Sequence, residues 1–204
     1  MATPAPMVNG MRRAELERFN GATADDLIGS GLRLLFVGIN PGLWTAAVNA
    51  HFARPGNRFW PALYRAGITD RLVDASKGMD PADHQHLVDR GIGITNIVPT
   101  ASARADELTK AELLAGAERL QETVARTTPE VVAVLGLTAY RQAFGRAAAA
   151  AGLQSERLAD TELWIAPNPS GLNAHATLDS LAADYAAIAR AAGIELFADS
   201  RHGR

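Results

Sequence analysis

The apolar run Leu34-Leu35-Phe36-Val37 stops abruptly in Gly38-Ile39-Asn40-Pro41-Gly42-Leu43, and no other stretch constrains the fold as strongly. A strand with one wetted face alternates apolar and polar residues, so an unbroken apolar run bounded by Gly and Pro reads as a strand buried on both faces. Asn40 then stands at the carboxyl end of that strand. In open parallel α/β sheets this edge is where ligands bind, and Pro41 and Gly42 hold a turn whose backbone can approach a ligand closely. An Asn side chain offers an acceptor and donors but no titratable proton. It can orient water or grip an amide-bearing ring, but it is no strong general base. A lone Asn-Pro would read as an Asx turn that caps its own backbone; the segments downstream argue for more.

Helical spacing predicts helices over residues 57–66, 80–90, 108–127, 138–151 and 178–192, and apolar runs predict further strands over 92–98, 131–135 and 162–166. Pro81 sits at the first turn of its helix, and Gly67 and Gly136 punctuate the chain. Residues 12–19 have helical spacing and residues 24–28 form a loop into the first strand; both read as peripheral. Strands alternating with helices predict an α/β fold with a central parallel four-stranded sheet covered by helices on both faces, because right-handed crossovers lay each helix against the sheet. Residues after the first, second and fourth strands would meet at one edge.

At 204 residues and 48% hydrophobic content the chain suits one domain with a full core. Residues 1–10, with two prolines and no charge, are expected to be a disordered tail, leaving residues 11–204 as the domain. The absence of cysteine excludes disulfides and thiolate metal sites, no metal-ligand cluster or phosphate loop occurs, and no apolar span is long enough for a membrane. A soluble, cytoplasmic monomer is expected. The net charge of −2 argues against bulk attraction to nucleic acid. Any DNA contact must therefore come from a local basic patch, for which Arg54, Arg58 and Arg104 are the candidates.

Two further segments join the Asn40 turn: His51-Phe52-Ala53-Arg54-Pro55-Gly56-Asn57-Arg58-Phe59-Trp60 and Asn168-Pro169-Ser170-Gly171-Leu172. Together the three resemble the mismatch-specific uracil/thymine DNA glycosylase family, in its bacterial and vertebrate forms, over roughly residues 32–190. The resemblance implies a three-layer α/β/α sandwich of the uracil-DNA glycosylase type. It also implies an enzyme that flips a uracil, or a thymine, out of G:U or G:T mismatched double-stranded DNA and hydrolyses its N-glycosidic bond without a cofactor, acting at the nucleoid. Asn40 would be the catalytic residue that offers water to C1′. The backbone amides around Ile39 and Phe52 would bind the pyrimidine edge, and the Phe52 ring would stack on the flipped base, a contact worth roughly 1–3 kcal/mol. Asn96 would contact the base from the second strand end, His51 would lie beside the nucleotide, and Trp44 and Thr45 would occupy the turn facing C5. Gly171 and Leu172, followed by Asn173, match the wedge that fills the gap left by the flipped nucleotide. The arginine that bacterial members carry after this leucine is replaced by Asn173-Ala174-His175, a departure that bears on recognition of the widowed guanine.

Asp106 is a second candidate for activating water, its alternative role being to cap the helix beginning near Thr109. Two other function classes remain open: a non-catalytic nucleotide-binding module, which leaves Phe52 and the wedge segment unexplained, and an esterase using Ser170 and His175 with Asp179, which lacks the Gly-x-Ser-x-Gly elbow.

Overall fold

The computed structural model describes residues 7–8, 11–174 and 176–198. Strands β1 (Met7–Val8) and β2 (Met11–Arg12) pair antiparallel and lead into α1 (Arg13–Leu16) and a 3-10 turn, Glu17–Phe19. The rest of the expected tail, residues 1–6 and 9–10, lies outside the described residues.

The central sheet has five strands: β3 (Leu34–Gly38), β4 (Ile92–Asn96), β5 (Val131–Leu135), β6 (Gly152–Leu158) and β7 (Thr161–Ala166), in the order β4-β3-β5-β7-β6. The four strands expected from the sequence are present and parallel. The fifth, β6, is an edge strand antiparallel to β7 that corrects the four-stranded count. It escapes the apolar-run criterion because Gly-Leu-Gln-Ser-Glu-Arg-Leu is largely polar and its burial alternates along the strand. The helix expected to run on to residue 151 stops early as well. Helix α6 (Leu137–Ala143) is closed by Gly145 at φ +65, and the Arg146 N–H bonds the Arg141 carbonyl, the long-range bond of a Schellman cap. The chain then turns through Ala159 and Asp160, both left-handed, into β7.

Apolar strands with no polar face require cover on both sides. Leu34 and Phe36 of β3 pack with Phe59, Trp60 and Leu63 of α3 (Phe59–Arg65) and Leu181, Tyr185 and Ile188 of α7 (Leu178–Ala191). The alternate residues Leu35 and Val37 pack with Leu113, Leu120 and Val124 of α5 (Lys110–Thr127) and Tyr140 of α6. Each such side chain contributes about 1.5–3 kcal/mol on burial, so the two apolar layers clamp the sheet from both sides. Helix α2 (Leu43–Val48), which is too short to read from periodicity, follows the Asn40 turn directly. Helix α4 (Pro81–Asp89) starts where the Asp80 carboxylate accepts from the Ala82 N–H. No helix among the described residues is long and apolar enough to cross a membrane.

Candidate active site

Register decides which residues meet at the carboxyl edge. Gly38, the last residue of β3, is the parallel partner of Asn96, the last of β4, so these two strand ends stand side by side. The loops that leave them, with the segments around His51 and Asn168, enclose a cavity of about 150 Å³. Drug-sized ligand sites run to roughly 300–1,000 Å³, so this one is on the scale of a single small ring. Its lining includes Ile39, Asn40, Thr45, His51, Phe52 and Asn96, which the sequence had singled out, with Arg54 and Ser170 at the side. A larger groove of about 630 Å³ lies between α3 and α7, away from the strand ends.

The amide of Asn40 has one orientation. Its Nδ2 donates to the carbonyls of Pro41 at 3.1 Å and Thr100 at 3.2 Å, and to Ser102 Oγ at 2.8 Å. Carbonyls only accept, so the nitrogen must face them and Oδ1 faces the cavity. Ser102 fixes the arrangement further: its hydroxyl donates to the Arg104 carbonyl at 2.7 Å, which leaves its lone pairs for Asn40. Sequence reading missed Ser102. The one signal available was that its loop leaves a strand at the same sheet edge.

Asn96 is 5% exposed and is held by the same logic one step removed. His51 is no exposed histidine but is buried, with Nε2 at 2.9 Å from the Asp25 carbonyl and Nδ1 at 3.3 Å from Asn96 Nδ2. The carbonyl demands a proton on Nε2, so in the neutral ring Nδ1 accepts from Asn96 and turns Asn96 Oδ1 toward Gly38 and the cavity. Burial pushes the His51 pKa below its ordinary value, outweighing the bond to Asp25 and the nearby Asp26 and Asp25 carboxylates, which favour the charged ring. Asp26 in turn accepts from Thr95 Oγ1 at 2.6 Å and lies 3.8 Å from Arg119, whose guanidinium also donates to the Asn96 carbonyl. The segment at residues 24–28, read from sequence as peripheral, thus supports the site.

This burial has a measurable consequence. An unfolded His51 binds its proton at about 6.5, whereas the folded one does so only at lower pH. The unfolded state therefore holds more protons just below pH 6.5, and stability declines as pH falls through that value. His86 on α4, also lowered chiefly by burial, acts in the same direction. The urea midpoint is expected to fall between pH 7.5 and 5.5, with a shallower fall in His51→Gln. An equal slope in wild type and variant would mean that His51 protonates freely in the fold.

Phe52 sits at φ +54, a left-handed conformation that a bulky residue adopts only when its surroundings impose it. One face of its ring stacks on Phe59, with centroids 4.0 Å apart and planes at 25°. Gly38 supplies the floor: a Cβ there would overlap Asn96 Oδ1 outright and press on Phe52 Cζ at 3.3 Å.

Other expectations are corrected. Trp44 does not face the cavity; it is buried in the core with its indole N–H on the Ser76 carbonyl at 2.9 Å, and only Thr45 of that pair lines the site. Asp106 is exposed in a 3-10 turn, Ala105–Glu107, and does not itself line the cavity; it pairs with Arg104, which does. The helix cap expected of it is provided by Thr109, which accepts from the Glu112 N–H in a capping box. Asp179 pairs with Arg65 and Ser170 Oγ accepts from the Leu172 N–H at 3.3 Å, so the described residues, which exclude His175, assemble no triad. The wedge residues Gly171, Leu172 and Asn173, for which no place in the cavity was expected, stand outside the lining, with Leu172 79% exposed. No group of His, Asp or Glu among the described residues can hold a metal.

Comparison with known proteins gives a family and a fold. The model of the uracil DNA glycosylase superfamily matches residues 26–191, a span that contains all three segments. Among solved structures, the solution NMR structure of a candidate uracil DNA glycosylase from Methanosarcina acetivorans superposes with a TM-score of 0.58 at 13% identity. The match covers 85% of this chain and 98% of that one, a likeness of fold.

Proposed function

From the premise that this chain belongs to the uracil DNA glycosylase superfamily, we propose that it is a monofunctional glycosylase that excises uracil from mismatched duplex DNA, acting as a monomer at the nucleoid. The observation that carries this reading is a pair of acceptors in the cavity: Asn40 and Asn96, two of the four asparagines that line it, are each held by an acceptor behind the nitrogen and turn their carbonyl oxygens inward. At these two points the cavity receives hydrogen-bond donors. Uracil and thymine present N3–H, which Asn96 Oδ1 accepts, whereas neutral cytosine presents an acceptor at that edge and is repelled.

The reaction follows from the same atoms. The nucleotide swings out of the stack, a step that costs a few kcal/mol, and the base slides against the ring face of Phe52 that Phe59 leaves open. The C1′–N1 bond breaks with its electron pair on the base, and the backbone N–H groups near Ile39 and Phe52 support the anion. Asn40 Oδ1 accepts from a water whose oxygen attacks C1′, and the water's second proton passes to solvent. Thr45 bounds the space next to C5, and Leu172 with Gly171 and Asn173 enters the helix where the nucleotide has left. Arg54, exposed beside the cavity, meets the backbone of the extruded strand.

A gel assay on labelled duplexes containing G·U, A·U or G·T tests this. Strand cleavage after alkali is expected on G·U, and borohydride should trap no covalent complex, because neither Lys77 nor Lys110, the only lysines in the sequence, lines the cavity. No alkali-labile product on any uracil duplex would sink the assignment, and a trapped adduct would overturn its monofunctional part.

A further inference from the structure

We infer that Arg58 is a positioning residue that braces the DNA-inserting loop from inside the protein. This rests on the reading of Leu172 as the wedge. For an arginine on a DNA-binding face a phosphate contact would be the ordinary role, and Arg58, which is half-buried, was one of three candidates for it. Its guanidinium instead reaches inward. Nη2 donates to the carbonyls of Ser170 at 2.6 Å and Asn173 at 2.8 Å, Nη1 donates to that of Ala176, and the Arg58 backbone N–H donates to Pro169 at 3.0 Å. All four acceptors belong to one loop, and no carboxylate lies within ion-pair distance of Arg58 among the described residues.

The loop is fitted to the same turn on its other side. A Cβ on Gly171 would stand 2.6 Å from the Gly56 carbonyl oxygen, so only glycine lets the two segments close. Asn173 Nδ2 adds a bond to the Asn168 carbonyl at 3.0 Å. What remains free is the Leu172 side chain, held out into solvent on a backbone tied down on both flanks. A wedge on a slack loop would have to be ordered during insertion, at an entropic cost taken from extrusion; the brace orders it beforehand. Three carbonyls spread around one planar group suit the fixed fork of a guanidinium better than the single point of an ammonium. Arg58 also immediately precedes Phe59, the ring beneath Phe52, so one turn sets both the base-stacking floor and the wedge.

The test uses the full chain with Arg58→Ala, Arg58→Lys, Leu172→Ala and the Arg58→Ala/Leu172→Ala pair. Amide hydrogen exchange without DNA is expected to speed up at least about tenfold at Leu172 and Asn173 in both Arg58 variants, with β3 and β5 unchanged as the control for folding. Single-turnover excision on A·U duplexes is expected to fall about tenfold in either single alanine variant, and the double variant should lie within about twofold of Leu172→Ala, because both changes disable one device. Arg58→Lys, which keeps the charge, should resemble Arg58→Ala. Losses that multiply in the double variant would overturn the proposal. So would a salt dependence of binding shallower by about one unit, the mark of a lost phosphate contact. If wild type excises nothing, the proposed function falls, and the exchange data still decide the brace.

Discussion

Replacing Asn40 with alanine is expected to lower single-turnover excision by on the order of a hundredfold or more, the usual loss when a positioned polar group leaves a catalytic centre. The effect on chemistry will be accompanied by one on folding. The amide also ties the strand-end turn to Thr100 and Ser102, and removing it leaves a half-buried carbonyl and hydroxyl without their donor, at a cost of about 1–3 kcal/mol. Ser102→Ala separates the two contributions. It removes the hydroxyl that accepts from Asn40 but spares the carbonyl contacts and Oδ1, so it should carry a comparable stability cost with a much smaller rate loss. If Asn40→Ala excises uracil within twofold of wild type at a temperature where both are folded, Asn40 does not position the water.

An equally large loss is expected from Gly38→Ala, a change of one methyl group in a residue that does no chemistry. The backbone there is ordinary extended strand, outside the left-handed range, so alanine brings no conformational strain. The methyl group would occupy the space into which Asn96 Oδ1 projects, and either the amide swings away or the base cannot descend onto Phe52. Overpacking of this kind costs typically 1–3 kcal/mol in stability, which a domain of this size tolerates. Binding of the abasic product, which needs no base in the cavity, should stay within about threefold of wild type, while excision falls by on the order of a hundredfold. Unchanged excision would show that the base lies elsewhere.

How far the sequence revealed this protein depends on the kind of signal each part carries. Strands β3 and β5 are unbroken apolar runs, and burial on both faces leaves no other reading of Leu34 to Val37 or Val131 to Leu135. Strand β6 is half wet, so its pattern carries no such compulsion, and the alanines before it imitate a helix that Gly145 has already ended. Within the site, Asn40, Phe52 and Asn96 could be singled out because they stand at strand ends or in distinctive segments. Ser102, Asp25 and Arg119 could not, because each acts through a hydrogen bond to the backbone or side chain of a distant segment, and no spacing rule records such a pairing. The burial of His51 is invisible in sequence for the same reason: it follows from Asp25, Asn96 and Trp60, whose indole N–H holds the His51 carbonyl at 3.0 Å, all brought in from other segments.

The lateral pairing of Gly38 with Asn96 also ties the site to the order in which the chain comes together. Parallel neighbours cannot meet through a tight hairpin; the intervening helices must form and the long loop must close first, which makes such pairing slow relative to local structure. The Ser170 side of the cavity arrives later still, behind β7. A chain still emerging from the ribosome, or one stalled with its sheet half zipped, carries Asn40 and Phe52 but neither the Asn96 oxygen beside them nor the Ser170–Asn173 loop that Arg58 holds in the finished fold. The candidate site therefore exists only in the finished sheet, and on the proposed reading excision is expected from the completed fold alone.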